Sequence, residues 1–292
     1  MAVRDRALSH YRRQKRITLA ATVAVRQAAR REPQNVRRVT TITTAYQLAA
    51  ATAASRTMAA EAGRGVATRA AAFAGVSAGG FPIEAALSTV LDGITEELAG
   101  GAVLDDLLWQ LEQLVAAEVA DAGRAAASVE IYNEPTWTNY VRVLNPPSCP
   151  RCAVLAGRIY RDNDGFLRHP RCDCVHWPVE SWEQAHDEGL VFSAADAFDA
   201  DQITGLSRAD AQAIRDGADI SKVVNAHRGM ATASIFGHDG IKTTLAGTTK
   251  RSAWRKANPN RPYRLRPESI YEIASDRADA LRLLRLYGYL TT

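Results

Sequence analysis

The chain has 292 residues, 36 basic and 32 acidic side chains for a formal net charge of +4, and 47% hydrophobic but only 7% aromatic residues. That length can bury one large core or two modest ones, and the composition excludes a disordered or collagen-like polymer. The longest uncharged run, Val39 to Ser55, is too rich in threonine and slightly too short to cross a bilayer, which excludes a helical membrane span there.

The charge is unevenly spread. Residues 1–38 carry eleven basic and two acidic residues, residues 80–130 carry one basic and ten acidic, and residues 222–292 carry thirteen basic and five acidic. Basic ends around an acidic middle suggest contact with nucleic acid or with an acidic partner surface; solvation of helix faces is the plain alternative.

Residues 3–31 read as a basic helix, with Arg12, Arg13, Lys15 and Arg16 near one end, stopped by Glu32-Pro33. Residues 40–75 are rich in alanine and threonine with few large apolar anchors, so such helices must pack closely, on one another or on a partner. Ser77 to Pro82 is a break. Beyond it Ile83, Leu87, Val90, Leu91, Ile94 and Leu98, then Leu104, Leu107, Leu108, Leu111, Val115 and Val119, recur at helical spacing. This predicts an amphipathic helical hairpin over 83–122, its acids outward, with a further helix to about Ser128. From Val129 the residues turn β-branched and aromatic, leading into a cysteine-bearing stretch.

All four cysteines lie between positions 149 and 174. Cys149-Pro150-Arg151-Cys152 lets two thiolates bind one ion from a single turn, and His169-Pro170-Arg171-Cys172-Asp173-Cys174 can complete a closed tetrahedral site, most plausibly zinc. Two disulfides would use the same cysteines, but no secretory signal is evident, and a reducing compartment favours metal over bridges. A redox Cys-x-x-Cys lacks a flanking βαβ pattern, and the second cysteine pair would be surplus. The all-cysteine set Cys149, Cys152, Cys172 and Cys174 is favoured, with His169 as a direct ligand or a hydrogen-bonding neighbour. His169 with Cys172 is the alternative second pair, and His176 is a weaker candidate. In an extended strand Cys172 and Cys174 point the same way, so a shared ion needs a suitable local geometry. Four protein ligands leave no open position, so the site holds structure and does not catalyse. Between the clusters, 154–160 is predicted as a strand, Asp162 to Gly165 as a turn, and 166–168 as the returning strand.

The order Cys-x-x-Cys, Leu155-x-Gly157, an aromatic strand end, His169-Pro170-x-Cys172-x-Cys174 and Pro178 resembles the signature of phage Mu F-like head-morphogenesis proteins. Tyr140 to Pro147 and Arg168 to His176 resemble proteins of actinobacterial tailed phages described as minor capsid proteins or capsid maturation proteases. The resemblance covers 140–178 well, the tail after residue 200 with less specificity, and the N-terminal part hardly at all. It implies a virion head component, present in few copies at the portal vertex or inner capsid surface, with portal protein, scaffold or major capsid protein as partners. Packaged DNA would meet the basic ends, and no membrane is involved. Assembly would take place in the host cytoplasm.

Residues 180–221 are acidic, with short helices expected at Ser181–Glu188 and Ser207–Asp216, their acids being mostly solvated surface. Residues 222–267 read as an extended basic arm with little core, and a terminal helix follows from Pro267 with an end near Gly288. The predicted fold is therefore mainly α. An alanine-rich helical domain spans 1–128, and a small α+β zinc-stapled module spans 129–180. The region 181–292 holds an acidic linker, the basic arm and the terminal helix. A head protein of structural role is the leading function; a maturation protease is the runner-up. No Gly-x-Ser-x-Gly or His-Glu-x-x-His motif is present, and His227 and His238 fall in low-core basic sequence, a poor setting for a catalytic constellation.

Overall fold

The computed structural model describes residues 2–161, 172, 174–235, 238–249, 252–260 and 263–290. The chain forms two compact units: Met1–Asn145 with Gly157–Val191, and Pro146–Ala156 with Phe192–Thr292.

The first unit is built on four helices, α1 (Val3–Arg31), α2 (Val36–Glu61), α3 (Ile83–Ala99) and α4 (Leu104–Tyr132). Asn35 caps α2 by accepting from the Arg38 amide at 2.9 Å. Gly101, at φ 93°, makes the reversal between α3 and α4 that a side chain would resist. The helices α1, α2 and α4 pack on one another, and the leucine-rich stripes of α3 and α4 close the core around Val25, Val39, Leu87, Leu108 and Leu111. The sparse alanine faces of α1 and α2 thus find their partners within the chain. The tightest approach is at Gly123 of α4, where an added Cβ would lie 2.5 Å from Gln14 Oε1 of α1 and 3.5 Å from the Ala50 Cβ of α2. Gln14 in turn donates to the Ala50 carbonyl at 3.0 Å. The predicted hairpin is present, but α4 continues to Tyr132, past the change in composition at Val129.

Strand β1 (Asn139–Val143) then runs antiparallel to a neighbour on each side, and the chain enters α5 (Pro150–Leu155) of the second unit. The first unit resumes with β2 (Ile159–Arg161), β3 (Val175–Val179) and the short helix α6 (Trp182–Asp187), in a sheet of order β2-β1-β3. Val141 faces Ile159 on one side and Trp177 on the other, and Arg142 faces His176. Pro178 is tolerated because β3 is an edge strand. The strand expected over 154–160 is corrected. Pro150 opens a helical turn capped by Cys149, Gly157 reverses the chain at φ 68°, and extended structure begins only at Ile159. The expected turn at 162–165 and return strand at 166–168 lie outside the described residues. The central strand beside β2 is β1.

The second unit adds α7 (Ala194–Ala197), α8 (Arg208–Arg215), α9 (Ile220–Asn225), β4 (Met230–Ile235), β5 (His238–Thr244), α10 (Ala253–Ala257), β6 (Arg264–Leu265), α11 (Pro267–Ile273) and α12 (Arg277–Leu286). The short helices expected from Ser181 and Ser207 are present as α6 and α8; Ser207 caps the second as predicted, and Ser181 caps the first as well. The extended basic arm is corrected: 230–265 holds an antiparallel sheet of order β4-β5-β6. Ile241 and Leu265 join Val223, Ile270, Leu283, Leu284, Tyr287 and Tyr289 in a core. Its basic residues are partly interior. Arg264 is buried, donating to the Tyr287 carbonyl at 2.8 Å and the Ala246 carbonyl at 3.0 Å, its guanidinium 4.4 Å from the Tyr289 ring centre. The single terminal helix expected from Pro267 is two, because Asp276 caps a new start by accepting from the Asp279 amide at 2.8 Å. Gly288, at φ 72°, ends α12.

Candidate metal centre

The first-turn geometry of α5 sets Cys149 and Cys152. Cys149 is the N-cap, its Sγ accepting from the Cys152 amide at 3.4 Å, and Cys152 is fully buried. Pro150 fills the first helical position, where a missing amide proton costs nothing.

Within the first unit, Cys172 and Cys174 are both buried, and their Sγ atoms lie 3.2 Å apart. That exceeds the roughly 2.05 Å of a disulfide bond. It is close to the roughly 3.7 Å that two thiolates span on one tetrahedral ion at a Zn–S distance of about 2.3 Å. Two arginines hold this pair. Arg124, the lone base in the acidic 80–130 stretch, donates through one Nη to the carbonyls of Cys172 and Cys174 at 3.0 and 2.9 Å. Its Nε and other Nη both donate to Asp121 Oδ1, at 3.0 and 2.6 Å. Burial by itself would lower the Arg124 pKa, but Cys174, Asp121 and Cys172 outweigh it and hold the guanidinium above its ordinary value. Arg142, fully buried on β1, donates to Cys172 Sγ at 3.2 Å.

Of the histidine candidates, His169 lies outside the described residues. His176 is buried on β3, with Nδ1 2.9 Å from Ser128 Oγ and its ring stacked on Tyr140 at 4.5 Å. Beside the cysteine pair a cavity of about 300 Å³ is lined by His10, Gln14, Arg124, Cys172, Cys174 and His176. Burial, then the charge of Arg13, push the His10 pKa down to about 4, so this ring is neutral at physiological pH.

A family profile described as VG15 protein matches residues 3–201. The chain belongs to the VG15 protein family. The name points to a phage-derived family, and the VG15 match takes in all four cysteines together with Arg124 and Arg142. No curated protein and no solved structure matches the chain. Among the described residues, no helix is long and apolar enough to cross a membrane.

Outside the VG15 match, the second unit holds a polar constellation that the sequence reading missed. Asp210, 1% exposed, accepts from Ser207 Oγ at 2.7 Å and lies 2.7 Å from His227 Nε2. Arg266 approaches His227 Nδ1 at 3.0 Å and Glu268 Oε1 at 2.6 Å. His227 therefore sits in a rigid setting, unlike the low-core arm expected there, and Asp210 departs from the solvated acids expected over 180–221. Because a guanidinium can only donate, Nδ1 is the acceptor and Nε2–H donates to Asp210. Asp210, His227 and Glu268 offer ligand atoms within 4.8 Å of one another. The Arg266 guanidinium contacts His227 and Glu268, and the tautomer it imposes leaves neither ring nitrogen for a metal or a substrate proton. Among the described residues, no hydroxyl or thiol lies within hydrogen-bonding distance of His227 to act as a nucleophile. The constellation braces α8 and α9 against the start of α11. No motif spacing announces it, since 210, 227 and 266 meet only through the fold.

Proposed function

We propose that this VG15 chain is a minor capsid, head-morphogenesis protein of a tailed phage, a structural component at the portal vertex or inner capsid surface. Portal protein, scaffold or major capsid protein are its partners in this reading. Its four cysteines, Cys149, Cys152, Cys172 and Cys174, hold one structural zinc, with His169 as a direct ligand or a hydrogen-bonding neighbour. The observation that carries the reading is membership of a phage-derived family over a span containing the whole cysteine cluster. The chemistry of the donors fits: two buried sulfurs at chelating separation, that of Cys172 accepting from a guanidinium, and a capped Cys-x-x-Cys turn. Zinc would supply cross-linking and no reaction step, since four protein ligands leave no open position.

Two measurements test this. Purified under reducing conditions, the full chain should carry about one zinc, and Cys149→Ser with Cys152→Ser should abolish it. Mass spectrometry and cryo-electron microscopy of assembled particles should find few copies at the vertex or inner wall. Absence from particles, with normal assembly when the chain is deleted, would refute the structural role.

The runner-up, a maturation protease, would have to use the exposed His227 paired with the buried Asp210. Its requirement is that His227→Ala block cleavage of scaffold or capsid protein while particles still assemble.

A further inference from the structure

The Cys172-x-Cys174 spacing is unusual for two ligands of one ion. In an extended strand, residues two apart sit on one face but are separated by about 6.6 Å along the chain. Here the two sulfurs are 3.2 Å apart, as side chains leaning toward each other from one face allow. The carbonyls of Cys172 and Cys174, two residues apart and so able to point the same way, both accept from a single nitrogen of Arg124, at 3.0 and 2.9 Å. That nitrogen is fixed in direction, because Asp121, one helical turn earlier on α4, accepts from the other two nitrogens of the fork. The fork therefore holds the two cysteine carbonyls to one point on α4.

The sulfur side is held independently. Arg142 comes from the central strand β1, is fully buried, and donates to Cys172 Sγ at 3.2 Å. A guanidinium so enclosed is costly unless an anion offsets it, and a metal-bound thiolate is such an anion. An N–H···S bond also fixes which lone pair of the sulfur remains for a metal.

We infer that Arg124 and Arg142 are positioning residues for the cysteine-held metal: Arg124 ties the carbonyls of Cys172 and Cys174 to one point and so holds the two thiolates together, and Arg142 aims and charge-balances the Cys172 sulfur. This rests on the proposal that these cysteines bind metal. Neither arginine touches the ion itself; each acts through the ligands.

The test uses the full chain and zinc itself. Zinc content is measured by elemental analysis, and affinity by competition with a chromogenic chelator, for the wild type, Arg124→Met, Arg142→Met and Arg142→Lys. Methionine keeps most of the buried volume, and far-ultraviolet circular dichroism checks that the helices persist. Loss of either fork should weaken zinc binding by about 10–100-fold. Arg142→Lys keeps a donor and a charge, so it should recover most of the affinity, which a purely structural role would not predict. Cobalt substitution gives a second readout that serves even where a methionine variant does not fold. Arg124→Gln is too short to reach the two carbonyls from α4, and should lower the sulfur-to-cobalt absorption by the share of one thiolate. Wild-type protein without metal would defeat the zinc proposal itself. Wild-type protein with zinc, and variants that bind it equally tightly with unchanged cobalt spectra, would overturn the role of the arginines alone.

Discussion

The two basic ends of this chain look alike in sequence and differ in structure. On α1, Arg12, Arg13 and Arg16 are exposed, standing away from a buried face of Ala7, His10, Tyr11 and Gln14. In the second unit, Arg264 and Arg266 are buried and donate to carbonyls, to a carboxylate and to a histidine. A guanidinium has five donors on a flat fork, so it can either solvate a surface or saturate the loose carbonyls of an interior turn. Counting charge cannot separate these uses. The expectation that both ends reach packaged DNA therefore retains its exposed arginines at the N-terminal end, while two of the C-terminal arginines serve the core of their own unit.

The largest expected effect breaks the comparison from the inside. Arg264→Ala leaves the Tyr287 and Ala246 carbonyls without their donor and opens a void beside Tyr289. It should cost about 2–4 kcal/mol in chemical denaturation of the second unit. Burial holds the Arg264 pKa below its ordinary value, with Tyr289 opposing, as expected of a cation sustained by dipoles and a ring rather than a carboxylate.

A somewhat smaller effect lies on the buried face of α1. His10, with its pKa pushed down to about 4 from the model-compound 6.5, binds a proton more readily when unfolded. Stability should be complete above about pH 6.5 and fall as pH drops toward 4, then level off, for a total of roughly 3 kcal/mol at most. His10→Gln should flatten the pH dependence of thermal unfolding in that window. An unchanged slope would show that the imidazole already finds a proton acceptor when folded.

The smallest effect on stability belongs to the exposed side of the same helix. Replacing Arg12, Arg13 and Arg16 together by alanine should shift stability by no more than about 0.5 kcal/mol per site. If these residues meet DNA phosphates, the same variant should bind duplex more weakly, and the slope of log K against log salt should flatten by about 2–3 units. An unaltered salt slope would remove α1 from the DNA contact and leave an acidic protein surface as its partner.

By itself the sequence determined the helices whose apolar residues recur at 3–4 spacing, the stop at Pro33, and the short helices that start at Ser181 and Ser207. Each of these depends on residues within one or two turns of one another. It also determined that four cysteines sit close enough in the chain to serve one site. Tertiary structure alone decided which polar residues are interior. Arg124 stood out in sequence as the one base among ten acids, yet its partners at 172 and 174 lie about fifty residues away. The sheet of 230–265 was hidden for a related reason: charge density masked the short alternation of Ile241, Lys242 and Thr243, whose meaning depends on α11 and α12 covering one face. Periodicity and capping are local and can be read along the chain. The burial of a charge depends on which distant acceptors the fold brings to it, and only the packed molecule specifies those.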